Sequence, residues 1–283
     1  MDIIPIFSTD ASISKSILTA NSPQDNVTHK YDPLNYKSPV SVFTIAHHYN
    51  IKDLYICDSY FYRFINLYNE SKKQDINLRF GIKFVLCNDS LDLSEASLNT
   101  ENKVCVWALN TQGYSDLCKI YSRIHGDEKR LYYIGRGDWK LLQELWTDNL
   151  ALTIPFYSSF LHKNMLCGDN CVPFFGQIKP IFELGEYDLP FDNLLKESVL
   201  SYCKDNKFET LNTHQCYYYA KDDLFAYQVY KCNTKVHGLR SNMTEPKMEH
   251  FSSDGFSFEK YCELSKIKFM EYENLDEELI KAS

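Results

Sequence analysis

Short apolar runs with strand character alternate with helical patterns along most of this chain, and this alternation constrains the fold more than any single motif. The runs with strand character are residues 3–7, 54–57, 78–87, 103–109, 150–154, 174–178 and 208–213. The segments with helical periodicity or capping residues are 12–19, 38–50, 61–71, 113–125, 138–146, 192–205 and 221–230. Such alternation predicts an α/β fold with a mostly parallel sheet or barrel of about seven strands.

Helix-capping residues refine these boundaries. Ser38 followed by Pro39 predicts the start of the second helix, and Asp138 and Asp192 predict the starts of two later ones. The 283 residues suffice for one large domain, so we expect a single barrel domain over residues 1–258. The charged stretch 259–283 is predicted to be a helical tail outside the barrel.

Composition excludes several classes of protein. The formal net charge of −8 argues against a broad, non-specific nucleic-acid surface, although it leaves a weak or local contact with DNA open. No apolar run approaches eighteen residues, so no membrane partner is expected. Ten cysteines lie scattered in apolar runs of a chain with no recognisable signal peptide, which predicts a reducing cytoplasm. Cys167 and Cys171 lack the second ligand pair that a zinc site needs.

Several segments, taken in order, carry a resemblance to a known family. They are IFSTDASIS, DLYICDSYFYRFINLYNESKK, FGIKFVLC, KVCVWALNTQGYSDLCKIYSRIH, LYYIGRGDWKLLQEL, LALTIPF, LNTHQCYYYAKDDLFAYQVYKC and a closing PKMEHFSSDGFSF with the appearance of a hairpin. This series resembles the PHP (polymerase and histidinol phosphatase) domain of the alpha subunit of bacterial DNA polymerase III. The resemblance covers nearly the whole chain, with ALNTQGYSDLCKIYSRIH as its best local match.

The resemblance implies a fold, a chemistry and a set of ligand positions. The family fold is a distorted seven-stranded (β/α) barrel, and its active members bind up to three metal ions at the strand ends and hydrolyse phosphoesters. Such metals neutralise phosphate charge and generate hydroxide. The corresponding positions in this chain are Ile6, Ser8, Asp58, Ser59, Lys83, Lys103, Pro155, Gln215 and Tyr217, with a looser correspondence near Ile181.

Among these ligand positions, only Asp58 has the residue type of the family, and the other positions are vacated. An ammonium group cannot coordinate a metal while protonated, so Lys83 and Lys103 disfavour a cation there. The resemblance therefore implies no metal or other cofactor. We expect six of these positions to converge at one rim: Ile6, Ser8, Asp58, Lys83, Lys103 and Tyr217. Asp58 is expected to bond to Lys83, Lys103, Tyr217 or Ser8, and lysines that simply reach solvent are the alternative.

Several other residues have side chains that can bind ligands or take part in catalysis. Arg136, in the GRGD stretch, falls where the family has an arginine near the barrel mouth and is a candidate phosphate contact. His47 and His48 point apart on a helix, and His214 is interpreted as structural. The aromatic runs YFYRF and CYYYAK are predicted to be core rather than base-stacking surfaces. No nucleophile elbow, phosphate-binding loop or dinucleotide fingerprint occurs.

Three hypotheses follow from these residues. The first is a catalytically inactive PHP-like scaffold or docking module in DNA replication, associated with a polymerase or a proofreading exonuclease. It is either free-standing, as in a phage, or a fragment of a larger polymerase. The second is a metal-dependent phosphoesterase or 3′→5′ exonuclease with a remodelled site, recruiting Asp58, His214, Asp10 and Glu183 or Asp254. The third is a module that binds single-stranded nucleic acid without chemistry.

Overall fold

A computed structural model of the protein describes residues 3–9, 41–131, 134–233 and 253–271. The chain divides into two compact units. The first unit contains Met1–Arg79 and His214–Ser283, and the second contains Phe80–Thr213. Two strands run from one unit into the other, because β3 crosses the first boundary and β8 crosses the second. Among the described residues, no helix combines the length and the apolarity that crossing a bilayer requires.

The first unit contains strands from both ends of the chain. Its described elements are β1 (Ile4–Phe7), α1 (Val42–His48), β2 (Asp53–Asp58), α2 (Phe64–Lys73), the first residues of β3 (Asn77–Cys87), the last residues of β8 (Glu209–Cys216), α7 (Leu224–Asn233) and α8 (Phe258–Ser265). Phe258 is fully buried among aromatic rings, with Phe7, Tyr49 and Tyr219 at centroid distances of 4.9 to 5.8 Å. This cluster therefore ties α8 to β1 and to the segment after β8.

The second unit continues the alternation of strands and helices. After most of β3 it contains β4 (Asn102–Ala108), α3 (Thr111–Gly126), β5 (Gly137–Asp138), α4 (Trp139–Glu144), β6 (Leu150–Ile154), α5 (Phe160–His162), β7 (Pro180–Leu184), α6 (Asp192–Asn206) and the start of β8. One turn of π-helix, Lys163–Cys167, follows α5 directly. As predicted, the Asp138 carboxylate caps α4, accepting a hydrogen bond from the Leu141 amide at 2.8 Å.

The strands form a mixed sheet with the order β2-β1-β8-β7-β6-β4-β3-β5. An additional pairing of β2 with β3 closes this order, so that seven strands follow one another in a ring and β5 adds to β3. Pairing is parallel for β1–β2, β3–β5, β6–β7 and β7–β8. It is antiparallel where β4 meets β3 and β6. The predicted α/β fold with a seven-stranded barrel topology is therefore confirmed.

Some predicted elements are wrong in detail. Residues 174–178 form a turn rather than a strand, because Gly176 has a positive φ of 57° and the Ile178 amide bonds to the Phe175 carbonyl. The strand in this region is β7, which begins at Pro180. The N-cap of α1 is Ser41, whose hydroxyl accepts a hydrogen bond from the Thr44 amide. Ser38, Pro39 and the predicted helix 12–19 lie outside the described residues.

The predicted closing hairpin, residues 246–258, lies largely outside the described residues, whereas the region predicted as a tail differs from the prediction. Ser257 forms an isolated parallel bridge with Tyr218, and α8 begins at the next residue. The boundary expected after residue 258 thus falls in the first turn of α8. Tyr261 and Cys262 are buried, so this helix belongs to the first unit's core and does not form a separate tail. Residues 272–283 lie outside the described residues.

Candidate functional site

Asp58 lies at the end of β2 and is almost fully buried in the first unit. The Ser8 hydroxyl donates a hydrogen bond to Oδ1 at 3.2 Å, and the Thr9 amide donates to the same oxygen at 2.5 Å. The Thr9 hydroxyl donates to Oδ2. Both carboxylate oxygens are therefore bonded inside the protein, and the predicted hydrogen bond between Ser8 and Asp58 is confirmed.

The register of the parallel pair β1–β2 explains why these residues meet. Ile6 lies opposite Tyr55 and Phe7 opposite Ile56. Continuing the same register places Ser8 and Thr9 beside the last two residues of β2. Because parallel strands end at the same edge, the residues that follow β1 supply donors to the acid that ends β2. Buried charge of this kind is tolerated only when donors satisfy it.

The other predicted positions in the first unit are packed into its interior. Ile6 and Gln215 are buried, and Ser59 is half-buried. The Tyr217 ring stacks on Tyr227 at 5.5 Å and contacts Phe256. These residue types and packings suit a structural role rather than metal ligation.

His214 is fully buried, as expected for a structural histidine. Its Nε2 lies 3.1 Å from the Ser257 carbonyl, and its ring contacts Tyr261. These contacts fix the ring against α8. Asp10, which the remodelled-site hypothesis also requires, lies outside the described residues.

The second unit contains Lys83, Lys103 and Pro155. Lys83 pairs with Cys105, and Lys103 pairs with Val85, on the antiparallel strands β3 and β4. Residues opposite one another and two apart share a sheet face, so both lysines project from the same face of this ladder. Both are half-buried, whereas Pro155 is buried. The convergence of Lys83 and Lys103 with Asp58 stays a prediction.

Arg136 is fully buried in the second unit. Its Nη1 donates to the Ser97 hydroxyl at 2.9 Å and to Glu101 Oε1 at 3.1 Å, and its Nη2 donates to the Asp92 carbonyl at 2.9 Å. In this conformation the guanidinium anchors the segment between β3 and β4. A phosphate contact of the kind predicted from the sequence would therefore require residues 92–101 to move away.

Glu183 is a second buried carboxylate, on β7 of the second unit. The Thr153 hydroxyl donates to its Oε1 at 2.6 Å, and the Thr213 hydroxyl approaches its Oε2 at 3.5 Å. Trp107 Nε1 donates to the Thr153 hydroxyl at 3.0 Å. The threonine hydroxyls thus connect β6, β7 and β8 through one carboxylate.

The thiols divide into buried and accessible groups. Burial raises the pKa of Cys87 to about 12, despite the opposing effect of Arg136, and its thiol donates to the Gly137 carbonyl. Burial likewise raises the pKa of Cys171 to about 11, whereas Cys167 is exposed. Asn164 bonds to the backbone of Cys171, which fixes the turn after the π-helix.

The residues present do not fit the metal centre of active members of the family that the chain resembles. In the described parts of the chain, no group of three or more histidines, cysteines, aspartates and glutamates is close enough to hold a metal ion. Both Asp58 oxygens already accept hydrogen bonds from Ser8 and Thr9. Catalytic sites for divalent metals normally provide several nitrogen, oxygen or sulfur ligands, so we derive no metal-assisted step for this protein.

Thr9 is the residue of this site that sequence reasoning missed. It supplies two of the donors to Asp58, yet it is not at a ligand position of the family. Its position directly after a predicted strand, beside Ser8, was the available signal. Ser97 and Glu101 were also missed, because a sequence pattern does not reveal partners that lie 39 and 35 residues from Arg136.

Comparison with known proteins adds one finding. No curated protein matches the chain. The model of the PHP domain matches residues 37–169, which is less than half of the 283 residues. The chain is therefore similar to the PHP domain over residues 37–169, and the α/β barrel topology of the strands is consistent with this similarity.

Proposed function

We propose that this chain is a catalytically inactive PHP-like domain that acts as a scaffold or docking module in DNA replication. Its partner in this proposal is a DNA polymerase or a proofreading exonuclease, and its location is the cytoplasm. The nine cysteines whose side chains the structure describes are all free thiols, which agrees with a reducing compartment. The family resemblance supplies the link to replication.

The hydrogen bonding of Asp58 is the observation that carries the proposal. Where the resemblance places two metal-ligating histidines, the chain has Ile6 and Ser8, and Ser8 donates to Asp58. A metal ion would have to displace this bond and those from Thr9 in a buried pocket. Neutral donors thus take over the charge compensation that metal ions provide in active members.

Hydrolysis assays test the catalytic part of the proposal. The protein is incubated with manganese or zinc and either p-nitrophenyl phosphate or single-stranded DNA, beside Asp58→Ala and a buffer control. We expect turnover no higher than buffer for both proteins. Turnover that disappears in Asp58→Ala would contradict the proposal and support a remodelled phosphoesterase.

Cross-linking in replicating host cells, with identification of the attached peptides, tests the docking part. We expect cross-links to a polymerase or a proofreading exonuclease that persist in Asp58→Ala, because docking does not depend on chemistry at that carboxylate. Cross-links confined to proteins outside replication would contradict this part. If a replication protein is cross-linked, the proposal also predicts that the purified chain and the purified replication protein bind each other directly.

A further inference from the structure

The segment after β2 and the outer side of α2 expose a row of tyrosines. The exposed fraction is 51% for Tyr60, 87% for Tyr62 and 46% for Tyr68. The sequence predicted that the YFYRF run would be core, and the structure contradicts this for Tyr60 and Tyr62. The other run behaves as expected, since Tyr218 and Tyr219 are buried. Large exposed rings in a row indicate a binding surface.

Cations accompany two of these rings. The Arg63 guanidinium lies 5.8 Å from the centre of the Tyr62 ring, and the Lys72 ammonium lies 5.5 Å from that of Tyr68. Tyr68 also stacks on Phe64 at 5.8 Å. Because Phe64, Tyr68 and Lys72 are four residues apart in α2, they share one helix face. Two rings and a positive charge therefore share this face of α2, and the Tyr62–Arg63 pair lies directly before the helix.

Acidic groups next to this strip are engaged by other cations. Glu70 is paired with Lys73 at 3.3 Å, and Asp53 is paired with Arg79 at 2.9 Å. Asp75 is exposed but lies beyond the end of α2. Residues 59–73 contain three basic residues and one acidic residue, a formal charge of +2, whereas the whole chain has a net charge of −8.

We propose that this aromatic-basic strip, formed by Tyr60, Tyr62, Arg63, Tyr68 and Lys72, binds single-stranded nucleic acid. The tyrosine rings stack with unpaired bases, and Arg63 and Lys72 contact the phosphates. Sites that bind single strands without sequence preference combine these two features, since every base has a face for stacking. The inference does not rest on the scaffold role, because an inactive or an active domain can contact a strand in this way.

The contact predicts a defined salt dependence. Two phosphate contacts on a single strand give a slope of log K against log salt of about −1.4, from about −0.7 per contact. A docking surface for a protein also uses tyrosine and arginine, but it would not bind an oligonucleotide. Duplex DNA has no unpaired bases for stacking and should compete poorly.

Fluorescence anisotropy with labelled dodecamers of thymidine and of uridine tests the proposal on the full chain at low salt. We expect both oligonucleotides to bind, and Tyr62→Ala and Tyr68→Ala each to weaken binding by about fivefold or more. Tyr62→Trp should retain binding, because it preserves the stacking face. Phe225→Ala removes a similarly exposed ring, at 67%, outside the strip and should leave binding unchanged.

Controls separate this idea from the alternatives. Lys72→Ala should make the salt slope shallower by about 0.7. Circular dichroism of each variant establishes that it is folded. Binding of oligonucleotides by the wild-type chain tests the proposal even if a variant fails to fold. Absence of binding to both oligonucleotides would overturn the proposal. Binding that duplex DNA competes equally, or that Tyr62→Ala and Tyr68→Ala leave unchanged, would also overturn it.

Discussion

Two buried charges, Asp58 in the first unit and Arg136 in the second, are compensated in different ways. Asp58 accepts hydrogen bonds from neutral donors of Ser8 and Thr9, including one backbone amide. Arg136 forms an ion pair with Glu101 and donates to the neutral acceptors of Ser97 and Asp92. The sequence singled out both as traces of an active site, yet in this structure each is bonded within its own unit.

The difference teaches what each charge contributes to the fold. Neutral donors around a carboxylate can be removed one at a time, and the backbone amide remains in every side-chain variant. A single substitution removes the whole stabilisation of an ion pair, because the remaining charge is left uncompensated in a poorly solvated place. The second unit should therefore be more sensitive than the first to a single substitution at its buried charge.

The largest effect is expected for Arg136→Met. Glu101 would lose its cation, and Ser97 and the Asp92 carbonyl would lose a donor, which should reduce the free energy of unfolding by about 3–5 kcal/mol. Urea unfolding measures the change. The control is Arg123→Met, where the arginine is exposed on α3 and the expected change is below about 0.5 kcal/mol. Equal stability of the two variants would contradict an anchoring role for Arg136.

A smaller loss is expected for Thr153→Val. This nearly isosteric change removes the hydroxyl that donates to Glu183 and accepts from Trp107. Since the acceptor is a buried carboxylate, the free energy of unfolding, measured in urea, should fall by about 1.5–3 kcal/mol. Thr210→Val, on an exposed position of β8, is the matched control. If both variants were equally stable, Glu183 would not depend on the hydroxyl of Thr153.

Substitutions beside Asp58 should cost less than the loss of Arg136. Thr9→Val removes one hydroxyl donor and keeps the backbone amide, so we expect the free energy of unfolding to fall by about 1–2 kcal/mol. Ser8→Ala removes a longer hydrogen bond, so we expect a fall of about 0.5–1.5 kcal/mol. Ser201→Ala, on an exposed position of α6, controls for loss of a hydroxyl. A loss above that of Arg136→Met in either variant would reverse the comparison between the units.

The effect of Cys87 on stability is smallest near neutral pH, where its thiol is protonated in both the folded and the unfolded chain, and grows at higher pH. The pKa of Cys87 is raised by burial to about 12, from an ordinary value of 9.0. The unfolded chain therefore loses this proton first as the pH rises, and unfolding becomes easier between about pH 9 and pH 12. Urea unfolding across the accessible part of this range should show a shallower decline for Cys87→Ala than for wild type. An unchanged slope would contradict the raised pKa.

The sequence predicted the positions of strands better than it predicted which residues are buried or whether neighbouring strands pair in parallel. β2 and β6 were found because apolar β-rich runs are local signals. The antiparallel direction of β4 has no signature in periodicity, which is the same for both directions. The YFYRF run was predicted to be core, but Tyr60 and Tyr62 are exposed, and the buried residues of α2 are Leu67, Glu70 and Ser71. Aromatic character was taken for burial there.

The site was predictable only in part. Ser8 and Asp58 were expected to meet because both follow strands of one sheet, and they do. Thr9 carried only a weak signal, its position directly after a predicted strand, because threonine there is also common in turns. The contacts of Arg136 depend on a segment that folds back across many residues, and such long-range partners cannot be read from local patterns.

Metal binding tests the central claim, that neutral donors satisfy Asp58 and replace a catalytic metal centre. The metal-free chain is dialysed against manganese, and bound metal is counted by mass spectrometry and by the electron paramagnetic resonance of free Mn²⁺, beside Asp58→Asn. The account predicts well under one specifically bound ion per chain and no difference between the two proteins. Two or more ions per chain that are lost in Asp58→Asn would contradict it.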